Sequence, residues 1–279
     1  MQASEIRDIY DRDGYIAPLR LFSEDEAQAH RAIMEQTEAT HGKLHYKYKM
    51  HSVLRSPWEI ATNPVLLDAV EAILGPNILL YNTCYIVKEA GATSHVSWHQ
   101  DLTYWGLSND NQVSAWVALS PATGESGCMR MLPGSHKTGH YEHEKTDDPD
   151  NVLAFGQTVK GIDESAARLA PLRPGEASLH HGWTLHASMP NHSSDRRIGV
   201  NIQFVATDVR QVKHDEDSAI LVRGVDDYRH FKVDAPALRD MHPDDLARRD
   251  RLDARINDIY AAMEAPRPLG GGQPQPSAG

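Results

Sequence analysis

Cysteine is almost missing from the sequence: Cys84 and Cys128 are the only two in 279 residues. Two thiols make no disulfide framework, and both lie in apolar, strand-like runs where a buried reduced thiol is expected. Long apolar runs are missing too. No window approaches the roughly 18 consecutive apolar residues of a membrane span. Met1-Gln2-Ala3-Ser4-Glu5 lacks the basic flank and apolar stretch of an export signal. A cytoplasmic protein with no membrane contact is the expectation. A basic excess is also absent, since 28 Lys and Arg stand against 39 Asp and Glu for a formal charge of −11. That balance argues against nucleic acid or anionic membrane as the main partner. A small molecule is left as the expected partner, with no obligatory protein partner evident.

Gly/Ser linkers, charge blocks and repeats are missing before the C-terminal tail. Residues 1–264 are therefore expected to form one domain, and the Pro/Gly/Gln-rich stretch 265–279 a disordered tail. What is present is helix at both ends and strand between. Ser23 caps a helix reaching about Ala39, with Glu26 completing a capping box. Asn63-Pro64 opens a second, stopped by Gly75-Pro76, and Asp244 to Met263 reads as a charged amphipathic third. Between them, Ile78 to Val87, Gln112 to Leu119, Cys128 to Leu132, Ala177 to His180 and Ile198 to Val205 are short runs rich in β-branched and aromatic residues. This order predicts a mainly β protein with flanking helices, a jelly-roll barrel with helices packed outside.

The chemistry concentrates at Trp98-His99-Gln100-Asp101. On an extended backbone a histidine and an aspartate two apart point the same way. One further imidazole from a distant strand would give two nitrogens and a carboxylate oxygen on one face of a metal. The opposite positions stay open, the arrangement of non-haem iron oxygenases. Trp98 before the pair and Tyr104-Trp105 after it predict an apolar pocket around it. For the third ligand the residues alone leave several candidates. His140 and His143 sit in a polar, loop-like stretch, His95 has no helical pattern to pair it with His99, and His180 and His181 precede Gly182 near a strand end. His186 begins the segment running to Arg197.

Three motifs in order decide among them: His99-Gln100-Asp101, then Glu125-Ser126-Gly127-Cys128-Met129-Arg130-Met131-Leu132-Pro133-Gly134-Ser135-His136, then His186 to Arg197. Together they resemble the phytanoyl-CoA dioxygenase family, Fe(II)- and 2-oxoglutarate-dependent oxygenases on a double-stranded β-helix. The resemblance runs from about Arg7 to about Phe231. It implies His99, Asp101 and His186 as iron ligands, and Arg197 with Ser188 as the pair holding the distal carboxylate of 2-oxoglutarate. Asn82 and Trp116 are softer assignments to the same cosubstrate. Physically, a guanidinium matches a carboxylate bidentately and stays charged when buried. Alternation puts Arg197, Gly199, Asn201 and Gln203 on one strand face, with Arg196 as the fallback for Arg197.

The implied reaction consumes 2-oxoglutarate and O2, releases succinate and CO2, and hydroxylates an unactivated C–H bond of a small molecule. The halogenating relatives replace the aspartate with a small residue, so Asp101 favours hydroxylation. For the substrate, Lys43 to His51 alternates as a strand would, with Leu44, Tyr46, Tyr48 and Met50 on one face and His45, Lys47, Lys49 and His51 on the other. A basic face over the site mouth hints at an anionic substrate such as a carboxylate or phosphonate. Two rival readings stand beside this one: a zinc hydrolase on the same His/Asp/His site, and a non-catalytic β-barrel binding module.

Overall fold

The computed structural model describes residues 1–153 and 156–264. The predicted tail, 265–279, lies outside the described residues. The helices are α1 (Ala3–Asp13), α2 (Glu24–His41), α3 (Arg55–Ala61), α4 (Pro64–Leu74), α5 (Leu102–Trp105) and α6 (Pro243–Glu264). The strands before the midpoint are β1 (Tyr15–Arg20), β2 (Ile78–Lys88), β3 (Val96–His99), β4 (Gln112–Ala118) and β5 (Met129–Met131). There follow β6 (Glu144–Lys145), β7 (Gln157–Thr158), β8 (Arg168–Ala170), β9 (Glu176–His181), β10 (His186–Ser188), β11 (Arg197–Ala206), β12 (Ser218–Arg223) and β13 (Lys232–Val233).

Local chemistry accounts for the helix ends. Ser23 accepts from the Glu26 backbone N–H while the Glu26 carboxylate takes the Ser23 N–H, closing the box. Asn63 Oδ1 accepts from Val65 N and Leu66 N, and Pro64 occupies the first helical position, where no N–H is needed. α4 buries one stripe against β4 and β11 of the large sheet, and α2 packs on α3 with Met34 in the same core.

That sheet has seven strands in the order β1-β9-β4-β11-β2-β12-β13, and a four-stranded sheet in the order β3-β10-β5-β8 faces it. Pairing is antiparallel throughout both, save for β12 with β13. The alternation along β11 has a physical meaning here. Ile198, Val200, Ile202 and Phe204 join the core between the large sheet and α1–α4, whereas Arg197, Asn201 and Gln203 line a cavity between the sheets. A jelly roll keeps its polar residues inside for this reason: the helices cover the apolar face, and the inner face becomes the site.

The segment Lys43 to His51 departs from the expected strand. Only an isolated bridge between His45 and Tyr85 survives of it, because Tyr46 and Lys49 take φ of 56° and 53° and break the pleat. Leu44 and Met50 enter the core, and Tyr46 and Tyr48 reach the cavity. Two of the four residues of the expected basic face turn inward instead. Lys49 is fully buried, donating to the Tyr81 and Ser218 carbonyls, and His51 is buried against Asp234.

Candidate metal and cosubstrate site

β3 and β10 lie side by side in the small sheet, and His99 is the cross-strand partner of His186. Directly opposed residues put their side chains on one face, so the two imidazoles meet with ring centroids 4.0 Å apart. Asp101 arrives differently from the sequence expectation. β3 stops at His99, and Asp101 takes helical angles (φ −57°, ψ −44°) as the first turn into α5. The carboxylate is swung to the histidines by this turn, not by strand alternation. Its Oδ1 lies 3.5 Å from His99 Nε2 and 3.7 Å from His186 Nε2. The three donor atoms all fall within 4.8 Å of one another, and they form the one such cluster found among the described residues.

Each imidazole is set for ligation by the backbone. His99 Nδ1 donates to the Ser97 carbonyl at 2.9 Å and His186 Nδ1 to the Thr184 carbonyl at 3.0 Å. A carbonyl only accepts, so in the neutral ring the proton sits on Nδ1 and the Nε2 lone pair faces the common centre. Burial, and then the neighbouring His99, holds His186 well below its usual range, which keeps it neutral. Burial acts to raise the Asp101 carboxyl, but the facing imidazoles of His186, His180 and His99 hold it well below the usual carboxylate range. The other oxygen, Oδ2, accepts from Ser114 Oγ at 2.8 Å and His180 Nε2 at 3.2 Å. Two imidazole nitrogens and one ionised oxygen, with open space before them, fit a divalent iron.

The turn between the ligands is tied down as well. Gln100 is fully buried; its Nε2 donates to the Gly139 and Trp183 carbonyls, its Oε1 accepts from Tyr141 N, and its own N–H donates to His143 Nε2. His143, expected in a solvated loop, is thus half-buried against the ligand turn. The Leu132-Pro133-Gly134-Ser135 turn contributes through Ser135 Oγ, which accepts from Leu185 N one residue before His186. Trp98 turns away from the cavity and stacks under Arg130, while Tyr104 and Trp105 form part of the cavity wall.

A scan against protein families matches residues 10–199 to phytanoyl-CoA dioxygenase (PhyH). The chain belongs to that family. Its iron- and 2-oxoglutarate-dependent chemistry is the one the donor set fits. Among curated proteins the chain is similar to a probable alpha-ketoglutarate-dependent hypophosphite dioxygenase of Stutzerimonas stutzeri, 32% identical over 145 residues (51% of this chain, 50% of the relative). It is also similar to the peroxisomal phytanoyl-CoA dioxygenase of Homo sapiens, 28% identical over 156 residues (54% and 46%). The chain thus spans about half the length of the curated relatives it matches. Among solved structures, the apo form of the non-heme monooxygenase ThoJ superposes with a TM-score of 0.82 at 28% identity, covering 92% of this chain and 98% of that one.

In this PhyH-family chain the cosubstrate candidates lie on the opposite wall. Arg197 opens β11, is 2% exposed, and stacks its guanidinium 5.0 Å from the Trp116 ring centroid. Its Nη1 donates to the Gly127 carbonyl at 2.7 Å and its Nε has no partner. No carboxylate faces it among the described residues, and burial pulls its pKa down to about 10. A buried cation without a counter-ion is costly, so the pocket is built for an anion that comes from outside.

Two glycines make this wall possible. A Cβ on Gly199 would stand 2.1 Å from Trp116 Cζ2, so the indole lies flat on the bare backbone. Gly127, at φ +74°, would place a Cβ 2.2 Å from the Met189 carbonyl, and only glycine lets its own carbonyl reach Arg197. Ser188 also lines the cavity, with its Oγ accepting from Lys88 Nζ at 2.8 Å. Asn82 is placed elsewhere: its carboxamide oxygen accepts from Lys49 N at 2.8 Å, and the residue lies outside the cavity lining. Arg196 points outward to Glu38 and Glu89.

Ser114, His180 and Lys88 escaped sequence reasoning in these roles. His180 was weighed as a ligand; its place beside Asp101 is read from the strand pairing of Ser114 with His180.

Proposed function

We propose that this protein is an Fe(II)- and 2-oxoglutarate-dependent dioxygenase that hydroxylates an unactivated C–H bond of a small molecule. One observation carries the reading. Two Nε2 atoms and a carboxylate oxygen converge on a buried centre, and the same cavity holds a buried guanidinium with no carboxylate of its own. His99, Asp101 and His186 would hold the iron; Arg197 and Ser188, with Trp116 as a flat wall, would hold 2-oxoglutarate. When bound together, iron, 2-oxoglutarate and dioxygen supply oxidative decarboxylation to succinate and CO2, with the second oxygen atom going to the substrate C–H bond. The chain's own part is to fix those groups and exclude water, which the apolar walls Ile86, Met129 and Ala187 accomplish. Residues 1–264 act in this reading as one catalytic unit.

The cavity, about 400 Å³, is of small-molecule size and is shared by cosubstrate and substrate. Beyond Arg197 its walls include Tyr48, Tyr104, Trp105, Val152 and Leu153, with no lysine and no second arginine among the described residues. Of the two lysines on the expected basic face, Lys49 is buried and donates to backbone carbonyls, and Lys47 is not among the lining residues. We therefore read the substrate as presenting an apolar or aromatic, non-anionic group to the iron, because an anion would find the one cationic side chain of the described lining already occupied.

The test is anaerobic titration of 2-oxoglutarate into the Fe(II)-loaded protein. The weak visible charge-transfer band of the chelate is expected, together with succinate release in air with a metabolite panel. A zinc hydrolase would give neither, and absence of both would overturn the proposal.

A further inference from the structure

Behind the cosubstrate wall sits a second buried cation that the reaction scheme does not use. Lys88 ends β2, is 3% exposed, and is the cross-strand partner of Arg197. It does not line the cavity. Its Nζ is wrapped by the end of β10, donating to Ser188 Oγ at 2.8 Å, to the Ser188 carbonyl at 3.2 Å and to the Met189 carbonyl. Three acceptors suit the three protons of an ammonium, so the set is complete only once Lys88 is protonated. The hydroxyl geometry follows from that contact. With Lys88 protonated, Ser188 Oγ accepts from it and keeps its own proton to donate elsewhere, and Ser188 lines the cavity.

Resting on the reading of Arg197 and Ser188 as the cosubstrate site, we propose that Lys88 is a positioning residue for 2-oxoglutarate. It turns the Ser188 hydroxyl toward the incoming carboxylate and takes up a proton as that carboxylate binds. The titratable groups facing Lys88 are Arg197 on β11 and the Cys128 thiol, held neutral by burial, before β5; no carboxylate faces it among the described residues. Burial first, and the Arg197 charge second, depress its pKa to about 6. An arriving anion offsets both effects and raises that value. The bound form then holds one more proton than the free form at pH 7.5. Linkage fixes the sign: affinity is highest in mild acid and falls as pH rises above about 6, by up to about tenfold per unit.

The experiment is calorimetric titration of 2-oxoglutarate into protein loaded with Ni(II), without turnover, at pH 7.5 in buffers of small and large ionisation enthalpy. Wild type is expected to take up close to one proton per cosubstrate. Lys88→Met is expected to abolish that uptake and to weaken binding about ten- to a hundredfold, the scale of one charged hydrogen bond, with Ni(II) affinity unchanged. Buffer-independent enthalpy in wild type overturns the proposal even if the variant does not fold. A variant that binds and takes up protons as wild type does so equally. No binding of 2-oxoglutarate to loaded wild type would instead sink the underlying cosubstrate reading.

Discussion

Ser114→Ala isolates the hydrogen bond that holds the carboxylate ligand from behind. Asp101 Oδ2 has two donors, Ser114 Oγ at 2.8 Å and His180 Nε2 at 3.2 Å, and the variant removes the shorter. A hydrogen bond to a charged, buried acceptor contributes about 1.5–3 kcal/mol. Loss of a group supporting a metal ligand weakens metal binding about 10- to 100-fold, which is about 1.4–2.8 kcal/mol and thus the same quantity seen from the metal's side. The fold should persist, because the lost hydroxyl leaves only the Gln112 amide seeking a new acceptor. The assay is anaerobic Fe(II) affinity by competition with a chromophoric chelator, with a thermal melt as the fold control. In an Asp101→Asn background the same substitution should cost much less, since the charge it serves is gone. A folded Ser114→Ala protein binding Fe(II) within about twofold of wild type would refute the idea that Oδ2 is oriented from β4.

Arg197→Ala should raise the 2-oxoglutarate requirement about a hundredfold with iron affinity little changed; equal losses in both would detach Arg197 from the cosubstrate. Gly199→Ala should cost about 1–3 kcal/mol in denaturant unfolding, because its methyl collides with the Trp116 ring. It should also weaken 2-oxoglutarate binding by displacing the indole from Arg197; unchanged values for both would mean the wall is soft. His51 is buried and held below its usual pKa by burial, so the folded protein keeps it neutral where the unfolded chain protonates it. Stability is therefore full above about pH 6.5 and falls as pH drops through that value. Asp234, also depressed, adds its loss only further into acid. Melting temperatures at pH 7.5 and 5.5 should differ more in wild type than in His51→Gln, and equal drops would contradict this. Asp101→Gly should abolish hydroxylation, and retained product would place the carboxylate ligand elsewhere.

The long strands and capped helices were legible because their signals are local. Ser23, Asn63 and the apolar alternation of β2, β4 and β11 act within a few residues. The His-x-Asp spacing brought the right atoms together for a different reason, a helical turn in place of a strand. Lys43 to His51 misled because its period of two is real in sequence, while backbone angles at Tyr46 and Lys49 decide where each side chain goes. The supports of the site were illegible in principle. Ser114, His180 and Lys88 act only through partners on other strands, far from them in sequence, and no local pattern encodes such meetings.

The four-residue helix α5 has a further consequence. It begins directly after Asp101 and ends with Tyr104 and Trp105 on the cavity wall. Recognition and ligation therefore share one short lever: a guest pressing on the aromatic rings strains the carboxylate three to four residues of chain away. Spectroscopic changes at the ferrous centre should accordingly report guest docking before any oxygen is admitted, and attempts to widen the pocket at those rings will retune the iron along with the selectivity.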